Sequence, residues 1–153
     1  MFTGTHFGLR CELMDGVERL DEVRRVAAFR AALRRFERMT EQAARAADVT
    51  PRQYLLLLAV VGSGDPDGVP VGDLAEGLQL AQSTTSGLVD RAEAAGLVSR
   101  SSARGDARFV RVSATERGLE ALHQTMTALD DGREAVAEAA AELRLHLVAS
   151  DEI

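Results

Sequence analysis

The sequence predicts a mainly α-helical fold with one small β-hairpin and a long helix on either side of it. Three observations carry that prediction. Apolar residues recur three and four apart over most of the chain, the mark of helices with one buried face. Short alternation is confined to Leu97–Arg100 and Arg108–Val112, joined by the polar, Gly-containing run Ser101–Ala107. Aromatic residues are scarce, with five Phe, one Tyr and no Trp in 153 residues, so Ala and Leu must fill the core. Both favour helix over sheet, and an apolar content of 46% is enough for one domain with arms.

Met1–Glu18 shows no clear period and contains Gly4, Gly8 and Gly16, so residues 1–19 read as an N-terminal arm, with at most a short helix near Leu9–Met14. Residues 20–48 hold a long amphipathic helix, Leu20–Ala47. Val23, Val26, Ala27, Phe29, Leu33, Phe36, Met39 or Thr40, Ala43 and Ala47 form its apolar stripe. Arg24, Arg34, Arg35, Arg38 and Arg45 fall largely off that stripe and suit a solvated face, or contacts to phosphates or a partner subunit. Thr50-Pro51 is a helix start, with Thr as cap and Pro at the first helical position. The helix it opens runs to about Val61 and is so apolar that burial is expected. Gly62–Gly68 reads as a loop, and Val69–Val71 offers a minimal third strand beside the hairpin.

Val71, Leu74, Ala75 and Leu78 then mark a short helix, and Gln79–Ala81 a turn. In the next helix, Gln82–Ala95, Leu88, Val89, Ala92 and Ala95 face inward, and Gly96 stands where a left-handed stop is wanted. Helix, turn, helix and hairpin in that order make a winged helix-turn-helix over residues 49–113, a shape that lays its second helix in the DNA major groove. In residues 114–153, Leu119, Leu122, Met126, Leu129, Val136, Ala140, Leu143 and Leu147 hold register through Asp130-Asp131-Gly132. That predicts one long helix from Thr115 to Leu147. Its narrow seven-residue stripe wants a partner helix, which with Leu20–Ala47 predicts a homodimer.

The pieces VTPRQYLLLLAV, VGDLAEGL, STTSGLVDRAEAAGLVSR, GDAR and VSATERG follow one another along this stretch. From about Leu20 to Leu147 the chain resembles the MarR-type winged-helix transcriptional regulators. The resemblance implies a dimeric, sequence-specific DNA-binding regulator, a repressor released by a small-molecule effector, with double-stranded palindromic operator DNA as partner and no cofactor. Two departures stand out. Relatives begin near their first long helix, without the extension seen here, and they carry one more C-terminal helix than this chain has room for. A helical protein-interaction module that keeps the winged fold without DNA binding is the competing reading.

Gln82, Ser83, Thr84, Thr85 and Ser86 open the second helix of the motif. Short hydroxyl and amide groups at a helix N-terminus can donate to phosphates and base edges, helped by the helix dipole. The bland alternative is a set of caps and solvated polar residues. Gly87 departs from the longer side chain that many relatives place there; close approach to DNA or simple drift would explain it. Arg91 and Arg100 suit phosphates or intramolecular partners. On the wing, Asp106-Ala107-Arg108 matches the family's Asp-x-Arg pattern, which implies that Arg108 enters the minor groove while Asp106 braces the loop, with Arg104 beside them. An ion pair closing the hairpin is the alternative. The family's effector pocket implies Arg25, Phe29, Phe36, Arg52, Tyr54 and Leu58 as lining residues, each of which also reads as ordinary core or surface.

All 18 basic residues are Arg, and the net charge is −6. It is unevenly spread: residues 19–52 hold nine Arg against five acids, and residues 82–113 five Arg against three. Residues 114–153 hold three Arg against nine acids. Phosphate attraction depends on the local face, so an acidic body with a basic reading edge is consistent with DNA binding. Cys11 precedes the expected first helix and has no feature that lowers its thiol pKa, which argues against redox sensing. His6, His123 and His146 are too scattered for metal-ligand spacing, and no nucleophile motif or phosphate loop suggests an enzyme. A single Cys, no signal segment and no apolar run beyond Tyr54–Val61 point to the cytoplasm.

Overall fold

The computed structural model describes residues 5–103 and 106–150, and the side chains of residues 19–102 and 110–144. The element order is α1 (Thr5–Ala46), α2 (Pro51–Gly62), β1 (Val69–Pro70), α3 (Val71–Gly77), α4 (Gln82–Ala94), β2 (Val98–Ala103), β3 (Asp106–Ala114), α5 (Glu116–Ala128) and α6 (Asp130–Ser150). The chain divides into two compact units, one of residues 39–129 and one of residues 1–38 with 130–153.

The first unit is the winged helix-turn-helix. Thr50 caps α2: its hydroxyl accepts from the Gln53 N–H at 3.2 Å, and Gln53 Oε1 accepts from the Thr50 N–H at 2.9 Å. This reciprocal pair satisfies two donors that the helix start would otherwise leave free. The sequence pattern shows the Thr50 half of the pair more plainly than the Gln53 half. Tyr54, Leu56, Leu57 and Val60 of α2 are buried, as are Leu74 of α3, Leu88 and Val89 of α4 and Leu122 of α5, and α2 packs on all three of these helices. Each such Leu stabilises the fold by about 1.5–3 kcal/mol relative to exposure. Burial of α2 is one-sided, however: Leu55 and Val61 lie on the surface.

Gln79 turns the chain between α3 and α4 with a positive φ of 54°. α4 ends at Gly96, φ +72°. There the Gly96 N–H donates to Glu93 O at 2.8 Å and the Leu97 N–H to Ala92 O at 2.9 Å, the paired bonds of a left-handed helix stop. The sheet has the order β1-β3-β2, all antiparallel, with Val69 opposite Val112 and Arg100 also opposite Val112 from the other side. Val69–Pro70 supplies the expected third strand. The wing is longer than its alternation suggested: β2 and β3 extend through Ser101–Ala103 and Asp106–Ala107, with an irregularity between Ser102 and Ala103. Pairing between β2 and β3, which the alternation does not reveal, makes these residues strand.

At the base of the wing α5 starts on Thr115, whose hydroxyl accepts from the Gly118 N–H at 3.1 Å and donates to Gly96 O at 2.6 Å. The Thr115 N–H donates to Leu97 O at 3.0 Å. Gly118 lies directly against that same Leu97 carbonyl, so close that a Cβ there would overlap its oxygen.

Two expectations are corrected. The single helix from Thr115 to Leu147 is two helices, broken at the buried Leu129 (φ −104°, ψ 3°). Asp130 and Asp131 fall in the first turn of the new helix, where carboxylates suit the positive end. The Leu122 and Leu129 side chains are buried, while Leu119 and Met126 are exposed. The second correction is at the N-terminus. Residues read as an arm continue α1 back to Thr5, so the sequence position of Cys11 falls within that helix; its side chain lies outside the described residues.

In the second unit, Leu20, Val23 and Val26 of α1 are exposed, whereas Phe29, Leu33 and Phe36 are half-buried. Among the described residues no helix is long and apolar enough to cross a membrane.

Candidate nucleic-acid interface

α4 presents two faces. Thr85, Leu88, Val89 and Ala92 are buried, and Gln82, Ser83, Thr84 and Arg91 are exposed. The cap position is Ala81, which has no side-chain acceptor, so the first-turn N–H groups of α4 are not taken by a cap. Exposed short polar groups therefore surround the positive end of a helix. Thr85 must be removed from the set of predicted contacts. It is fully buried, and its hydroxyl donates to Ala81 O at 3.2 Å. Its neighbour Thr84 points the other way because one residue turns a helix by about 100°. Ser86 and Gly87 are half-buried at the edge of the exposed face.

The Arg residues of the motif separate by role. Arg100 on β2 is a strut: Nη2 donates to Asp90 at 2.5 Å, Nη1 to Glu93 at 2.8 Å, and the backbone N–H to Glu93 Oε1 at 3.1 Å. The Asp90 hydrogen bond raises the Arg100 pKa above its ordinary value, opposed by partial desolvation and reinforced by Glu93. Arg100 thus stays charged and fastens the wing to the C-terminal half of α4. Arg111 on β3 does the same at the other edge. It pairs with Asp65 and donates through Nε to Asp67 O at 3.2 Å and to Gly68 O at 3.1 Å, which holds the α2–β1 loop on the sheet. Arg91, by contrast, forms no ion pair among the described residues, and its Nη1 lies 3.5 Å from where a Cβ on Gly87 would stand. Arg104 lies outside the described residues. Asp106 and Arg108 belong to β3, and their side chains lie outside the description, as does any bond between them.

Within residues 39–129, the predicted effector residues Arg52, Tyr54 and Leu58 have different surroundings among the described residues. Tyr54 is core. Leu58 lines a cleft of about 580 Å³ with Asp65, Val69, Pro70, Asp73 and Leu74. Arg52 lines a different cleft of about 460 Å³ with Thr50, Pro51, Gln53, Leu88 and Arg91. The two residues are six apart on α2, far enough around the helix to face different neighbours. Arg25, Phe29 and Phe36 belong to the α1 part of the other unit, where Arg25 Nη1 is buried without a hydrogen-bond partner among the described residues. Among the described residues no group of three or more His, Cys, Asp or Glu is placed to hold a metal ion.

Residues 47–108, from the end of α1 through the wing, match the MarR family model. This part of the chain is similar to the MarR-type winged helix. Solved structures agree on the fold. MepR of S. aureus, in complex with DNA, superposes with a TM-score of 0.65 at 20% identity over 81% of this chain and 93% of that one. BpsR of Bordetella bronchiseptica, whose DNA binding is regulated by 6-hydroxynicotinic acid, gives 0.59 at 23% identity over 80% and 89%. CouR of Rhodococcus jostii RHA1, bound to p-coumaroyl-CoA, gives 0.54 at 26% identity over 61% and 64%. No match was found among curated proteins. The exposed face of α4 lies on the surface of this unit, and Arg100 and Arg111 fasten the wing beside it.

Proposed function

We propose that this protein is a homodimeric transcription regulator that binds a palindromic double-stranded operator and, as a repressor, is released by a small-molecule effector. The observation that carries the DNA-binding part is the exposed face of α4: Gln82, Ser83, Thr84 and Arg91 outward, with the first turn uncapped by any side chain, on a helix whose other face is locked into the core. Ser86 at the edge of that face, and Arg104, Asp106 and Arg108 on the wing, complete the proposed contact set. The likeness to MepR in its DNA complex supports it. The likeness to BpsR and CouR supports release by a ligand. Exposed Leu20, Val23 and Val26 on α1, and Leu119 and Met126 on α5, support a second copy as partner, since large apolar side chains at helical spacing are costly to leave in water.

Selection of bound sequences from random duplex DNA tests the proposal. Recovery of an imperfect palindrome is expected. Recovery of no preferred sequence would favour the protein-interaction reading instead.

A further inference from the structure

We infer that Arg52 and Arg91 together hold one backbone phosphate of the bound duplex, so that the interface extends from α4 onto the first turn of α2. The inference rests on the proposed DNA binding. Both arginines are exposed and line the same cleft, whose other residues are Thr50, Pro51, Gln53 and Leu88. None of these is a carboxylate. Neither arginine forms an ion pair among the described residues, whereas Arg24, Arg45, Arg100, Arg111, Arg117 and Arg133 all do. Thr50 and Gln53 have already committed their side-chain acceptors to each other's backbone N–H groups. The guanidinium groups are thus what the cleft offers an incoming ligand. Two like charges beside one cleft repel, and an oxyanion between them replaces repulsion with charge-assisted hydrogen bonds to two planar forks.

Position selects the duplex as the source of that oxyanion. Arg91 lies on the same side of α4 as exposed Thr84, two turns away, and Gly87, one turn away. Its guanidinium runs back over Gly87, within 3.5 Å of the missing Cβ, toward the half of the helix that carries the proposed base contacts. A strand whose bases meet Ser83 and Thr84 has its backbone flanking this side.

The test titrates the selected operator, by fluorescence anisotropy over a series of salt concentrations, against the full chain, Arg52→Gln, Arg91→Gln and the double variant. Matching thermal melts keep the comparison on folded protein. Duplexes with one neutral methylphosphonate, stepped through each half-site, locate the phosphate and tie it to the duplex rather than to a free anion. Arg52→Gln should weaken operator and unrelated duplex by a similar several-fold factor and lower the salt slope by up to about 0.9 for each phosphate no longer neutralised. The double variant should weaken binding by less than the product of the two single effects. At one methylphosphonate position per half-site the neutral group should weaken the parent, weaken Arg52→Gln and Arg91→Gln less, and leave the double variant unchanged. Parent-like affinity and slope for Arg52→Gln would overturn the inference and leave DNA binding standing. So would multiplicative effects with a separate sensitive position for each arginine. A parent that binds no duplex at all would overturn the proposed function and this inference with it.

Discussion

Two glycines show how much a missing Cβ can mean at one residue and how little at another. At Gly118 a Cβ would overlap the Leu97 carbonyl oxygen and stand 3.0 Å from Leu57 Cδ2, with backbone that cannot swing aside. Gly118→Ala should therefore destabilise the winged helix by about 1–3 kcal/mol, as overpacking of a rigid site does. At Gly87 the nearest atom is the flexible end of Arg91, so Gly87→Ala should stabilise the fold by about 0.5–1 kcal/mol. Thermal melts of both variants check the pair; an unchanged midpoint for Gly118→Ala would deny the close joint. The same contrast holds for adjacent threonines. Thr84→Ala should change which operator sequence is preferred with little effect on stability, since the side chain is exposed. Thr85→Ala should do the reverse, because its buried hydroxyl is spent on Ala81 O. Repeating the duplex selection with each variant separates them.

At the scale of elements, the question is what holds the wing relative to α4. Arg100 joins β2 to two carboxylates of α4, and Arg111 joins β3 to the loop before β1. Arg100→Met keeps the stem but leaves Asp90 and Glu93 without their shared cation. The expected cost is about 1 kcal/mol, because all three groups are partly solvated. Operator affinity should fall further than stability alone requires, since a wing at the wrong angle no longer meets its groove. Comparing the denaturant midpoint with the anisotropy titration resolves the two effects. Arg108→Ala, at the proposed minor-groove contact, should weaken operator binding several-fold with the melting midpoint unchanged. Operator binding as tight as the parent's would remove Arg108 from the interface.

For the whole molecule, the prediction concerns symmetry. Val23 is largely exposed in the chain by itself, so Val23→Asp should give a folded monomer in light scattering where the parent gives a dimer. A parent that is monomeric at micromolar concentration would refute the dimer. If the dimer holds, two copies of α4 related by a two-fold axis must meet the major groove about one turn apart, roughly 34 Å or 10 bp centre to centre. The selected operator should show half-sites at that spacing. Despite a net charge of −6, binding should weaken steeply with salt, because phosphate attraction depends on the face that meets DNA. Tight binding to a single half-site, with no gain from the second, would remove the two-fold argument.

What the sequence determined by itself was whatever depends on near neighbours. Thr50-Pro51 starts a helix and Gly96 stops one because caps act within a turn, and the alternation around Arg100 and Val112 marks strands because a pleat repeats every second residue. The order of those elements identified the winged helix. What only the tertiary structure decided depends on residues that the chain brings together from afar. Arg100, which suited phosphates or intramolecular partners, reaches Asp90 and Glu93, and Arg111, which the sequence did not single out, reaches back to Asp65. Thr85 differs from Thr84 through the packing of α4 against α2 and α3 rather than through its own chemistry. Arg52, read as part of an effector pocket, shares a cleft with Arg91. The break at Leu129 was hidden for a simpler reason. It interrupts the backbone and leaves the seven-residue spacing of Leu122, Leu129 and Val136 intact, so the apolar period ran through it unchanged, while the backbone angles at Leu129 divided α5 from α6.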